Sequence, residues 1–315
     1  MITNKEKNFV SAVIYVYNNE DQIEVFLKTI VGILRDNFEK FEVIYVNDSS
    51  TDKSAESVRQ MIDEFGDTVV SIINMGFFQG REMSMSAGVD LSIGDFVFEF
   101  DSMELDFDPG LIMEVYRHSM KGGFDIVSAA PDRINSRSTR FYYSFFNIFS
   151  KYHLKMRPET FRILSRRSIN RVRALTVSVP YRKAVYANCG LRMDRIIYSP
   201  IAMHRKAKDK AVRSYRGVLA LDTLILFTDV AAWFVNVMIF ATLLSTFTLA
   251  GYMAYVALGL KEQVVWWMVL SFLVSLGFCA VFTCMATIVK YLSTIESLVF
   301  KRQKYVIESI EKIAK

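Results

Sequence analysis

The sequence predicts an α/β domain built on a mostly parallel sheet with helices on both faces, joined to a two-helix membrane hairpin. Three observations predict it. Strands and helices alternate through residues 9–101, two long stretches toward the C-terminus carry no charge, and the 315-residue chain is 52% hydrophobic with a mean hydropathy of +0.22. That composition is too apolar for an ordinary soluble enzyme and excludes a disordered or fibrous chain.

Phe9 to Tyr17 is a β-branched and aromatic run ended by Asn18-Asn19-Glu20, and it reads as a strand. From Asp21 to Asp36 the spacing of Ile23, Phe26, Leu27, Ile30, Ile33 and Leu34 is that of a helix. Phe41 to Val46 is a second buried-type strand, broken by Asn47-Asp48-Ser49-Ser50-Thr51-Asp52, and Ser54 to Phe65 is the next helix. The unit repeats with a strand at Val69 to Ile73, a helix from Arg81 to Leu91, and a strand from Phe96 to Phe100 that runs into Asp101. Such alternation favours a parallel sheet whose ligands sit at the carboxyl ends of the strands.

Between Arg133 and Arg173 basic and aromatic residues interleave, which suits core packing, nucleic-acid stacking or an interfacial helix. The attached hairpin favours the interface over nucleic acid. Ala211 to Asp229 has the same character and is expected along the membrane surface. Val230 to Leu260 and Gln263 to Val289 are free of charge, and each exceeds the roughly 20 residues a helix needs to cross a bilayer. Lys and Arg flank both outer ends of this pair, so both termini are expected in the cytoplasm and the protein in the inner membrane. The expected division is 1–205 head, 206–229 interfacial segment, 230–289 two spans and 290–315 cytoplasmic tail. Three cysteines, two of them in the second apolar stretch, give no disulfide framework, and His118, His153 and His204 have no ligand-like spacing.

A carboxylate at a strand end can hold a divalent cation that bridges two phosphates, because hard cations take oxygen ligands. Asp101 is the candidate. Asp48 could bond a nucleoside or cap the following helix. Arg81 opens a helix after Gly80, where amide groups and a guanidinium could face phosphate.

In order and spacing these segments resemble family 2 glycosyltransferases. Val13-Ile-Tyr-Val-Tyr-Asn-Asn-Glu20 is similar to the family's opening motif, Val46-Asn-Asp-Ser-Ser-Thr-Asp52 to its acidic nucleotide loop, and Gly80-Arg-Glu-Met-Ser-Met-Ser-Ala-Gly88 to its phosphate-side helix. Asp101 falls where an Asp-x-Asp metal motif begins. Phe161-Arg-Ile-Leu-Ser-Arg-Arg167, Arg205-Lys-Ala-Lys-Asp-Lys210 and the C-terminal hairpin resemble the polyprenyl-phosphate glycosyltransferases, relatives of dolichol-phosphate mannose synthase.

The resemblance implies a GT-A fold that uses Mg2+ or Mn2+ to bind a UDP- or GDP-linked sugar and passes the sugar to polyprenyl phosphate. It also implies a homo-oligomer, the family forming tetramers. Tyr17, Asn18, Glu20 and Asp48 would meet the nucleotide, Arg81 the diphosphate, and Asp101 with Glu104 the metal. Glu159 would join Asp101 as a catalytic carboxylate near the acceptor, and Arg133, Arg137, Arg140, Arg162, Arg205 and Lys210 would hold phosphate. The chain departs from the pattern at Met103, where a second metal-binding Asp is usual, and at Thr160, where a carboxylate is usual. Tyr15 and Asn19 replace a Pro and an acid in the opening loop. The alternative is a catalytically degenerate relative serving as a membrane-bound binding or scaffolding module. A transporter is disfavoured because neither apolar stretch contains an ionisable residue.

Overall fold

The computed structural model describes residues 5–61, 68–133, 136–150, 155–175, 181–201, 210–228, parts of 230–248, 265–300 and 305–313. The chain forms two compact units. The first comprises 1–147, 152–219 and 301–315, and the second 148–151 and 220–300.

The first unit is a sheet in the order β7-β5-β6-β4-β1-β2-β3-β8. Its central strands, β1 (Val10–Val16), β2 (Phe41–Asn47), β3 (Val69–Met75) and β4 (Phe96–Phe100), are mutually parallel. β6 (Phe161–Ser165) runs antiparallel between β4 and β5 (Ile126–Pro131), and β7 (Met193–Tyr198) pairs parallel with β5. Because β6 opposes both neighbours, β4 and β5 point the same way, and the carboxyl ends of β1, β2, β4 and β5 share one edge of the sheet. The helices of this unit are α1 (Glu20–Asn37), α2 (Ser54–Met61), α3 (Arg81–Leu91), α4 (Leu111–Gly122), α5 (Arg137–Phe149), α6 (Arg166–Leu175), α7 (Arg182–Ala187) and the start of α8 (Lys210–Phe227).

Strand periodicity divides the core into two. Val10, Ala12, Ile14 and Val16 of β1, Val43 and Tyr45 of β2, and Phe98 and Phe100 of β4 pack on the face covered by α1, α2 and α4. Val13, Ile44, Val46 and Val97 point the other way, beneath α3, α6 and α7. Both faces are buried, which is why these strands read as continuous apolar runs rather than as an alternation. α3 comes unusually close to the sheet at Gly88, where an added Cβ would lie 2.3 Å from Val13 Cγ1 and 2.7 Å from Val46 Cγ2.

Two expectations are revised. The segment assigned to a C-terminal tail contains β8 (Ile307–Ile313), which pairs antiparallel with β3 and closes that edge of the sheet. Its apolar residues Ile307, Ile310 and Ile313 recur every third position, so the local pattern suggests a helix and only the pairing with β3 makes it a strand. The membrane hairpin is the second revision. Among the described residues no helix is long and apolar enough to cross a membrane, which overturns the two spans and the inner-membrane placement. Freedom from charge counts residues, whereas a span needs one continuous apolar helix. The first stretch is described only in short pieces, and 249–264 lie outside the described residues. The second runs into α9 (Val265–Phe300), a helix that also carries Lys290 and Glu296. Within this second unit Lys290 pairs with Asp222 at 3.1 Å.

Two glycines test the packing. Gly88→Ala gains up to about 1 kcal/mol of helix propensity but overpacks a tight contact at a cost of about 1–3 kcal/mol. Its urea midpoint should fall. Gly32→Ala in α1, where nothing lies within 4 Å of the new methyl, should raise the midpoint.

Candidate active site

The carboxyl edge of the parallel strands holds a cavity of about 380 Å³. Its walls come from the loop after β1 (Tyr17, Asn18, Asn19), the first residues of α1 (Glu20, Gln22), the loop after β2 (Thr51, Asp52), the entry to α3 (Phe78, Arg81), the loop after β4 (Asp101 to Glu104) and the first turns of α8 (Val212, Tyr215, Arg216). Tyr17 and Phe78 lie 4.6 Å apart between ring centroids, and Tyr215 meets Phe78 edge-on at 5.9 Å. These rings form an aromatic wall beside the charged one.

Beneath the cavity is a buried ionic cluster. Glu99 and Asp101 are two apart on β4 and therefore share a face, and Glu99 lies directly across from Arg162 on β6. Arg162 donates from Nη1 to Glu99 at 2.8 Å and from Nη2 to Asp101 Oδ2 at 2.9 Å. Arg182, at the start of α7, donates from Nη2 to Asp101 Oδ1 at 2.6 Å, and its Nη1 lies 2.8 Å from Glu99 Oε1. The backbone N–H and Nε of Arg182 both donate to Glu82 of α3. Tyr186 completes the shell of Glu99 with a 2.8 Å hydrogen bond. Burial opposes ionisation of Asp101, but Arg162 and Arg182, with Arg81 and Lys183, outweigh it and hold the carboxyl well below the usual range. Glu82 is likewise buried yet held low by Arg182 and Arg81.

Of the residues singled out from sequence, Tyr17, Asn18, Glu20, Arg81, Asp101 and Glu104 meet at the cavity. Asp48 does not. It is wholly buried and accepts hydrogen bonds from the backbone N–H groups of Gln79 and Gly80 and from the Tyr15 hydroxyl, at 2.8–2.9 Å. Burial raises its pKa, and its carboxylate fastens the loop that leads into α3. Tyr15, in the place of the usual Pro, supplies one of those bonds. Glu159 lies outside the cavity wall, 3.2 Å from Arg162 Nε and 3.5 Å from Arg195, and although burial opposes its charge, Lys183, Arg162 and Arg195 lower its pKa. Arg162 is only 1% exposed and is committed to carboxylates, so the structure uses it as a counterion and not as a phosphate ligand. Arg133, Arg137, Arg140 and Lys210 are exposed. Arg205 lies outside the described residues.

Sequence reasoning missed Phe78, Tyr215, Arg216 and Arg182 as site residues. Tyr215 and Arg216 were assigned to an interfacial segment, yet the Tyr215 hydroxyl accepts from the Glu82 N–H at 3.3 Å. A Cβ on Gly80 would collide with the Tyr215 ring, and Gly80 also has φ +84°, so the α3 entry suits glycine alone. The signal was present in Phe77-Phe78 ahead of Gly80, but the partner ring lies far along the chain.

The divalent cation implied by the resemblance finds a poor ligand set here. Each oxygen of Asp101 is bonded to a different guanidinium. Met103, at the expected second position, is 3% exposed and offers only a thioether, which hard cations do not favour. Among the described residues no group of three or more His, Cys, Asp or Glu side chains could hold a metal ion.

The cluster makes two measurable demands. Asp101 and Glu82 have lower pKa values folded than unfolded, so their stabilisation is complete above the unfolded value near 4 and is lost as pH falls below it. Urea stability should therefore be level from about pH 7 to 5 and decline below about 4. Arg182→Leu leaves three buried carboxylates short of a cation, so it should cost about 3–5 kcal/mol at pH 7 and flatten that acid decline.

Comparison with known proteins agrees with this geometry. The sequence model of Glycosyl transferase family 2 matches residues 11–184, which span β1 to α7. An uncharacterized glycosyltransferase of Synechocystis sp. is 27% identical over 198 residues, covering 60% of this chain and 60% of that protein. The bactoprenol glucosyl transferase of Shigella phage SfV is 24% identical over 195 residues, covering 60% of this chain and 62% of its own. The chain thus spans about three fifths of the length of these relatives. Among solved structures, glucosyl-3-phosphoglycerate synthase from Mycobacterium tuberculosis in complex with Mn2+, UDP and glucosyl-3-phosphoglycerate superposes with a TM-score of 0.50 at 14% identity. That match covers 69% of this chain and 78% of the other, and it shows a shared GT-A-like fold. With more than half of its residues matched by the family model, the chain belongs to glycosyl transferase family 2.

Proposed function

We propose that this protein transfers a sugar from a UDP- or GDP-linked donor to the phosphate of a polyprenyl lipid. The observation that carries the reading is the cavity at the carboxyl edge of the parallel strands, which sets an aromatic wall beside Arg81 and Arg216. A nucleotide sugar needs those two surfaces, a flat apolar one for the base and a cationic one for the diphosphate. The lipid acceptor is supported by the name of the bactoprenol relative. Exposed Arg133, Arg137 and Arg140 add to it, since they follow β5 on the same edge of the sheet and could receive a lipid phosphate.

In this reading Tyr17, Phe78 and Tyr215 hold the nucleoside end and Arg81 faces the diphosphate. An acceptor phosphate oxygen attacks the anomeric carbon in line, the bond to the diphosphate breaks, and its electron pair departs with the nucleoside diphosphate. The configuration at that carbon inverts. A phosphate acceptor is already anionic near neutral pH, so no strong general base is required. That fits Glu159, which is held by Arg162 and Arg195 away from the cavity wall. A second reading, a relative that binds nucleotide without transferring sugar, draws on Met103 in place of the usual acid.

The test is transfer from a panel of UDP- and GDP-sugars to undecaprenyl phosphate by the purified full chain. We expect product with at least one donor, and Arg81→Ala should lower kcat/KM by about 10²-fold or more. Nucleotide binding without product across the panel would favour the non-catalytic reading.

A further inference from the structure

We propose that the donor diphosphate is neutralised in this protein by the guanidinium groups of Arg81 and Arg216, with no divalent cation required. The inference rests on the nucleotide-sugar reading and goes beyond it, since it replaces the cofactor that the family resemblance implies.

The first argument is what a cation would displace. Asp101 is the acid nearest to the role of metal ligand, and Arg162 and Arg182 each bond one of its oxygens in a site from which water is nearly excluded. A cation seated on Asp101 would break at least one of these bonds and leave a buried guanidinium without its partner. Met103 supplies no oxygen ligand to offset that loss.

The second argument is what already faces the cavity. Arg81 touches Glu82 only at 3.4 Å through Nη2, and its Nε is buried without a hydrogen-bond partner. Arg216 lines the same cavity from α8, near enough to Arg81 to feel its charge. Two guanidiniums turned toward one space repel each other until an anion enters between them, and planar paired donors match phosphate oxygens. During transfer the diphosphate gains a negative charge as its bond to the anomeric carbon breaks, and these donors would disperse it where a bound cation otherwise would.

The experiment is calorimetric titration of the full chain with UDP and with GDP, in Mg2+, in Mn2+ and in excess chelator. We expect Kd to differ by less than about threefold between cation and chelator. Arg216→Ala, an exposed position whose loss spares the buried cluster, should weaken binding by about tenfold under both conditions. Arg81→Lys keeps the charge but loses the paired donors, and should weaken binding by a smaller factor, with circular dichroism checking that each variant is folded. Binding that needs a cation, or an Arg216→Ala variant with unchanged Kd, overturns this inference and leaves the nucleotide-sugar reading intact. Absence of binding under every condition overturns both.

Discussion

Everything at the carboxyl edge of this sheet depends on two arginines shared between the same two carboxylates. Glu99 and Asp101 occupy one face of β4, and Arg162 and Arg182 each reach both. None of these four side chains has more than 3% of its surface exposed. Charges so deep are tolerated only when each is matched, because an unmatched one costs several kcal/mol. The matching also joins elements distant in sequence. Arg162 ties β6 to β4, while Arg182 ties α7 to β4 and, through Glu82, to α3. The cluster thus sets the position of α3, and α3 carries Arg81.

This arrangement separates two tasks that a metal-binding carboxylate would combine. The buried arginines settle the charge of the acids from below, so the cavity floor carries no strong excess of negative charge despite Asp101. Charge for the ligand comes from above, from Arg81 and Arg216. Guanidiniums suit both tasks because they keep their charge when buried and spread it over several donors. Met103 is then consistent with its surroundings. A second buried acid beside Asp101 would need another cation, whereas a thioether packs into the core that includes Phe107 and Phe100.

The sheet was legible in the sequence because β1 to β4 obey a local rule: short apolar runs separated by helical spacing and polar loops. Asp101 and Arg81 were legible for the same reason, each standing at the junction of a strand or loop with a helix. The roles of Asp48, Glu159 and Arg162 were not, because a charged residue reads alike whether it meets a ligand or another residue of the chain. Only the fold shows that Asp48 is spent on the amides of Gln79 and Gly80, and Arg162 on carboxylates of β4. β8 escaped because its pattern is ambiguous locally and is decided by a strand more than 200 residues earlier. The hairpin failed for the opposite reason: absence of charge was taken as sufficient for a span.

β8 also belongs to the frame of the site. The backbone of Val306 exchanges hydrogen bonds with the Gln79 side chain, and the Gly76 N–H donates to the Val306 carbonyl. Tyr305 bonds Asp90 at 3.0 Å, and that contact with burial raises the tyrosine pKa to about 12. Asp90 is in turn paired with Arg173. α3 is therefore fastened at both ends, by Asp48 and Gln79 where it begins and by Tyr305 and Arg173 near where it stops. A helix that must present a single arginine to a diphosphate gains from such fixing, since side chains held in place before binding lose less freedom on binding. The late segment of the chain thus helps to preorganise the same residue that the early motif supplies.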